Sequence, residues 1–74
     1  MSDFVLVCAA TYNNLGLAAS SIGQIDLAFR CLQFGLNLAE DDEEIEMIWY
    51  NIGNVAMQIG LTVRLFEEFY LLFR

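Results

Sequence analysis

The sequence predicts an all-α fold of two stacked antiparallel helix hairpins, and three observations predict it. The first is an internal echo. Asn14-Leu15-Gly16-Leu17-Ala18-Ala19-Ser20-Ser21-Ile22-Gly23 returns as Asn51-Ile52-Gly53-Asn54-Val55-Ala56-Met57-Gln58-Ile59-Gly60, a shift of 37 residues from 14 to 51. The second is that an aromatic residue, Tyr12 and then Trp49, stands at the same place before each copy. The third is that apolar residues recur at steps of three and four on both sides of each Ile-Gly pair, which places them on one face of a helix. A period of this size, carried by small and apolar residues, marks repeated helical hairpins and points to a scaffold rather than a catalyst. The division that follows is a lead-in over 1–8, a first repeat over 9–42 and a second over 43–74, incomplete and divergent after 60.

The lead-in stays open between two readings. Phe4-Val5-Leu6-Val7 favours a strand locally, and a helix leading into the first repeat fits as well. The first helix is expected over about Ala9 to Ile22, with Tyr12, Leu15, Ala19 and Ile22 on one face. Gly16 and Ala19 are small on or beside that face, which lets a neighbouring helix come close. Gly16 costs up to ~1 kcal/mol of helix propensity relative to alanine, and close packing would compensate. Gly23 ends the helix, since glycine adopts positive φ without strain.

The second helix is expected from about Ile25 to Ala39, with a stripe of Ile25, Ala28, Phe29, Leu32, Leu36 and Ala39. Asp26 lies in its first turn, where the helix dipole favours an acid. Gly35, spaced helically from Ala28 and Leu32, reads either as a close-packing site or as a plain propensity defect. Glu40-Asp41-Asp42-Glu43-Glu44 follows. Asp41 can cap the next helix with Glu44 at the N3 position of a capping box. The run reads as a solvated N-terminal turn, with partner contact as the alternative; a calcium loop needs a glycine turn that is absent here. The third helix is expected from about Glu43 to Ile59, with Ile45, Ile48, Trp49, Ile52, Ala56 and Ile59 as its stripe and Gly60 repeating the part of Gly23. A fourth helix should begin near Leu61. Its residues Leu65, Phe66, Phe69, Leu72 and Phe73 are helically spaced, and Tyr70 and Leu71 make it apolar almost all round, as in a helix buried from more than one side.

Composition narrows the function. The chain has 74 residues, 58% of them hydrophobic, too short for a large core of its own and richer in apolar residues than a usual soluble domain. The surplus calls for further repeats or a protein partner to cover it, and the isolated chain is expected to self-associate. Ten acids against three bases give a net charge of −7, with neither lysine nor histidine. Such a balance disfavours nucleic acid, since few cations are present to neutralise phosphates, and anionic lipid. Cys8 and Cys31 form no CxxC pair and read as small buried hydrophobes in a reducing compartment. No stretch has the length of a membrane span or the pattern of a signal peptide, so no transmembrane insertion is expected.

These residues spell a known pattern. The chain resembles the tetratricopeptide repeat family, whose repeats are 34 residues long, against the 37 separating 14 from 51 here. Tyr12, Leu15, Gly16, Ala19, Gly23, Ala28 and Leu32 fit the family's places in the first copy, with Gly35 where an alanine is usual. Trp49, Ile52, Gly53, Ala56 and Gly60 fit in the second. Leu65 and Leu72 then replace small residues, Phe69 takes an aromatic place, Glu40 stands where proline is common, and the acidic loop lengthens the period. Tyr12 to Gly60, with the acidic loop and Trp49-Tyr50-Asn51, is similar to a narrower group within the family: repeat subunits of the ciliary coat that carries membrane proteins in and out of cilia. That resemblance implies a solenoid, sister coat subunits as partners, a location in the cytoplasm and at the cilium or its basal body, and no catalysis. The chain is then expected to be a fragment or shortened relative of a larger repeat protein.

The residues agree with a non-catalytic reading. There is no phosphate-binding glycine loop, Ser20 and Ser21 have no histidine to activate them, and no cofactor or metal is expected. Candidate partner contacts are Asn13 and Asn54 on the concave side and Phe69, Tyr70 and Phe73 on the last helix. The alternative is a generic adaptor that holds a peptide in its concave groove. Its candidate lining, Asn13, Leu17, Tyr50 and Asn54, is uncharged and so unlike a carboxylate clamp. An acidic peripheral membrane helix is a third class, with apolarity but without the usual basic residues.

Overall fold

The computed structural model describes residues 8–60, 67, 68 and 70–72. They form helices α1 (Ala9–Ser21), α2 (Ile25–Leu38) and α3 (Asp42–Gln58), followed by helical residues at Glu67, Glu68 and Tyr70 to Leu72. The chain is all-α, with no strand among the described residues. The three helices pack against one another, α1 most extensively on α2. Residues 1–7 of the expected lead-in and most of the expected fourth helix lie outside the described residues.

Two turns with one geometry end α1 and α3. Ile22 has φ −101° and ψ 10°, and Ile59 has φ −101° and ψ 12°. Gly23 and Gly60 follow at φ 84° and 79°, in the left-handed region that side chains with a Cβ resist. After α1 the Gly23 N–H donates to Ser20 O at 3.0 Å and the Gln24 N–H to Ala19 O at 2.9 Å. That pair is the Schellman arrangement, which satisfies carbonyls a helix end otherwise leaves open. After α3 the Gly60 N–H donates to Met57 O at 3.1 Å.

The junction before α3 is built from side chains. Asp41 Oδ1 accepts the Glu44 N–H at 2.8 Å, the N-cap contact expected from the sequence. Glu44 answers by accepting the Glu40 N–H at 2.9 Å. The reciprocal bond of a capping box goes to the N-cap N–H itself; here it lands one residue earlier.

Two pairs of contacts give the helix directions. Tyr12 stacks on Phe34 with ring centroids 5.4 Å apart, while one turn on, a Cβ at Gly16 would lie 2.9 Å from Leu32 Cγ and 3.2 Å from Ala28 O. Ascending numbers in α1 meet descending numbers in α2, so the pair is antiparallel. Asn51 Nδ2 donates to Asn13 Oδ1 at 2.9 Å, and Ser20 Oγ donates to Gln58 Oε1 at 2.8 Å. Both numbers ascend, so α1 and α3 run parallel.

The core holds Ala9, Ala19, Ala28, Leu32, Ile48, Ile52 and Val55. Glycine makes its density possible. A Cβ at Gly16 would press on Leu32, which is itself fully buried. A Cβ at Gly35 would stand 3.2 Å from Ile48 Cδ1 and 3.4 Å from Ala9 O. Gly35 is therefore a close-packing site where α1, α2 and α3 meet.

Three expectations need correction, one of them the α3 stripe, which stops short of Ile59, 50% exposed at the helix C-cap. The first helix does not bury Tyr12, Leu15, Ala19 and Ile22 as one stripe. Its buried residues are Ala9, Asn13, Gly16, Ala19 and Ser20, whereas Leu15 is 49% and Ile22 74% exposed. The reason is that α1 meets two neighbours: Gly16 faces α2, and Asn13 and Ser20 face α3. Cys31 is buried as expected, but Cys8, the N-cap of α1, is only half-buried.

Candidate functional site

Three small-residue positions let α3 settle on the α1–α2 pair. Asn13 and Ser20 lie two turns apart on α1, and Gly35 lies on α2. Asn51 and Gln58 occupy the matching turns of α3, and Ile48 reaches Gly35. Asn13 is 4% exposed, and its carbonyl oxygen is taken up by Asn51. This corrects its assignment as a partner contact: a buried polar side chain is held by the hydrogen bond it makes inside, and the requirement here is internal.

The remaining candidates divide. Asn54 is exposed on α3. Tyr70 is half-buried and packs on Trp49 with ring centroids 4.5 Å apart and a 54° tilt, so its ring already has one internal neighbour. Phe69 and Phe73 lie outside the described residues. Trp49, Tyr70, Ile45, Glu46 and Tyr50 line a shallow recess.

Of the repeat positions, Gly16, Ala19, Ala28, Leu32, Ile52 and Ala56 are buried, Tyr12, Trp49 and Gly53 half-buried, and Leu15, Gly23 and Gly60 exposed. Leu17, a groove candidate, is 39% exposed.

Apart from Leu17 and Tyr50, already candidates for a groove, the sequence reading missed the surface at the two ends of the packed helices. On α1 and its C-cap, every exposed residue is uncharged: Ala10, Thr11, Asn14, Leu15, Leu17, Ala18, Ser21 and Ile22. Ser21 turns its hydroxyl inward, donating to Ala18 O at 2.7 Å. On the far side, Tyr50 is 71% and Met57 61% exposed on α3, and Leu72 is 80% exposed beyond it. A helix surface without charge is poorly suited to bulk solvent, and apolar groups gathered at one place mark contact surfaces. The signal was present in the sequence: α1 has no charged residue from Ala9 to Ser21.

Among the described residues there is no cluster of metal-ligating side chains and no helix long and apolar enough to cross a membrane. Cys8 Sγ lies 3.2 Å from Thr11 Oγ1, and hydrogen bonds from the Thr11 side chain and backbone hold the thiol below its ordinary value. No family model, curated protein or solved structure matches the chain.

Proposed function

We propose that the chain is a protein–protein interaction scaffold of tetratricopeptide-repeat type, which works by packing its open helix faces against protein neighbours. The observation that carries this reading is the uncharged outer surface of α1 together with exposed Tyr50, Met57 and Leu72 at the opposite end. The 37-residue echo (14 to 51) and the equal dihedral angles at Ile22 and Ile59 support the repeat. The setting we propose is the ciliary trafficking coat, with sister coat subunits as partners. Its support is the likeness of Tyr12 to Gly60 to a stretch of Bardet–Biedl syndrome protein 8. The chain then acts in the cytoplasm and at the cilium or its basal body, without catalysis or cofactor.

The test is co-purification of the tagged chain from ciliated cells. Recovery of coat subunits, lost in Tyr50→Asp/Met57→Asp while the helical circular dichroism persists, is the expected result. Recovery of diverse proteins through their C-terminal peptides would replace this reading with the generic adaptor. Recovery of neither rejects the ciliary setting.

A further inference from the structure

The step from α1 to α3 has a continuation at each end of the molecule. Ile48, Asn51, Val55 and Gln58 share one face of α3, at steps of three, four and three, with Ile52 and Ile59 beside it. This face meets α1 and α2: Ile48, Ile52 and Val55 are core residues, and Asn51 and Gln58 bond to Asn13 and Ser20. Moved back by the same 37 residues (51 to 14), the face becomes Thr11, Asn14, Leu15, Ala18, Ser21 and Ile22 on α1. All six are exposed. The receiving positions Asn13, Ser20 and Gly35, moved forward by the same step, become Tyr50, Met57 and Leu72, again all exposed. The molecule thus exposes, at the positions equivalent to its internal contact, one face on α1, where the Thr11 hydroxyl already lies against Cys8 Sγ, and one at the opposite end.

At two of these three positions the larger residue changes sides. Inside the molecule a small receiving residue meets a large one: Ser20 meets Gln58, and Gly35 meets Ile48. In the continuation Met57 would meet Ser21, Leu72 would meet Thr11 and Tyr50 would meet Asn14, so the receiving side supplies the larger residue at each pair and Tyr50 adds bulk where Asn13 and Asn51 are alike inside. The α1 face has no charge to meet Glu46, which stands beside Tyr50 at the receiving end, so no like charge opposes the contact there.

We infer that the occupant of these faces is a second copy of this chain, stacked head to tail so that Tyr50, Met57 and Leu72 of one copy receive the Leu15–Ile22 face of α1 in the next. Such a contact is heterologous: the two surfaces differ, so it does not close after two copies and the assembly grows with concentration. Each copy carries net charge −7, so mutual repulsion between copies is screened and stacking strengthens as salt is raised. It gives these faces a different occupant from the sister coat subunits of the scaffold reading above, and the purified chain tests it apart from any ciliary protein.

The experiment is sedimentation velocity of the chain and two variants, L15D/I22D and Y50D/M57D, with helicity checked by circular dichroism. The unaltered chain should form a ladder of species that lengthens from micromolar to submillimolar concentration and with added salt. Each variant alone should stay monomeric, since every copy lacks the same face. Mixed, they should form a 1:1 dimer that grows no further, because one retains the receiving end and the other the α1 face. That rescue also excludes added charge as the cause of dissociation. An L15D/I22D chain that still dimerises shows a symmetric contact and overturns the inference. So does an unaltered chain that is monomeric throughout, or one that associates while the mixed variants do not. Should an aspartate variant lose its helix, oxidation of S21C mixed with M57C, both with Cys8→Ser, gives the answer. A crosslink between the two kinds of chain is expected, and predominance of S21C–S21C or M57C–M57C pairs overturns the inference.

Discussion

Helices α1 and α3 carry the same run of residues and end in the same turn, yet their equivalent side chains have different surroundings. Ile22 and Ile59 agree in dihedral angles, and Gly23 and Gly60 both take positive φ. Leu15 is half exposed, while Ile52, its equivalent, is 2% exposed. Gly16 is buried and Gly53 only half-buried. The turn geometry follows from the local sequence, because a helix followed by glycine has a favourable way to end. Burial follows from what lies alongside. α3 has the α1–α2 pair against its outer face, and among the described residues nothing covers the matching face of α1.

The largest effect should come from truncating the two equivalent residues. Ile52→Ala should cost about 2–5 kcal/mol, as expected for a large side chain deleted from a core. Leu15→Ala should stay within about 0.5 kcal/mol, as for a surface change. Urea midpoints at the lowest workable concentration give both values. Equal losses would mean that α1 is covered in solution, and the comparison would fail at its first point.

Gly16→Leu comes next. Its first side-chain atom would meet Leu32 Cγ at 2.9 Å and the Ala28 carbonyl at 3.2 Å. Leu32 is fully buried and the carbonyl belongs to the helix, so neither gives way readily. The expected loss is about 1–3 kcal/mol from overpacking, larger than the ~1 kcal/mol gained in helix propensity. Gly53→Leu should lose less, since Gly53 is only half-buried. A rise in the urea midpoint of Gly16→Leu would show that α1 and α2 are not in close contact there.

The backbone was easier to read in the sequence than the faces. Gly23 and Gly60 marked the helix ends, and Asp41 with Glu44 marked a start, because these signals act within a few residues. The α2 stripe was legible because α2 has one dominant apolar face. The α1 face was not. Residue pattern favours large apolar groups as core, but α1 packs closely through Gly16, Asn13 and Ser20, and small or polar residues at an interface carry little apolar signal. Pairing of Asn13 with Asn51 depends on two helices meeting in space, and no local pattern contains it. The open surface of α1 could have been suspected from its lack of charge alone.

Smaller effects should appear at the helix starts. Cys8, the N-cap of α1, has φ −146° and ψ 168°, and Asp41, the N-cap of α3, has φ −140° and ψ 168°. The backbones match, but only Asp41 accepts a helix N–H through its side-chain oxygen. Asp41→Ala should cost about 0.5–2 kcal/mol. Cys8→Asp should raise stability by no more than about 1 kcal/mol, since it places a capping oxygen on a backbone already shaped for it. A loss on Cys8→Asp would show that the thiol has a packing role that aspartate cannot replace.

The smallest effect is kinetic and separates the two cysteines. A hydrogen bond to sulfur favours the thiolate, and the thiolate is the form that reacts with alkylating agents. At Cys8 the Thr11 side chain contributes most, with the Thr11 backbone after it, and together they lower the thiol's pKa. A lowered pKa raises the thiolate fraction at neutral pH, so Cys8 should react in the folded chain. Cys31 is buried and should react only as the helices open, at a rate that rises with urea. Thr11→Val removes the hydroxyl while keeping a branched side chain, so it should slow Cys8 and leave Cys31 unchanged. Mass spectrometry of chain quenched after brief exposure to iodoacetamide distinguishes the two sites. Equal rates at Cys8 and Cys31 in the absence of urea would mean that α2 does not hold its buried face closed. An unchanged Cys8 rate in Thr11→Val would assign the enhanced reactivity to the helix N-terminus rather than to the hydroxyl.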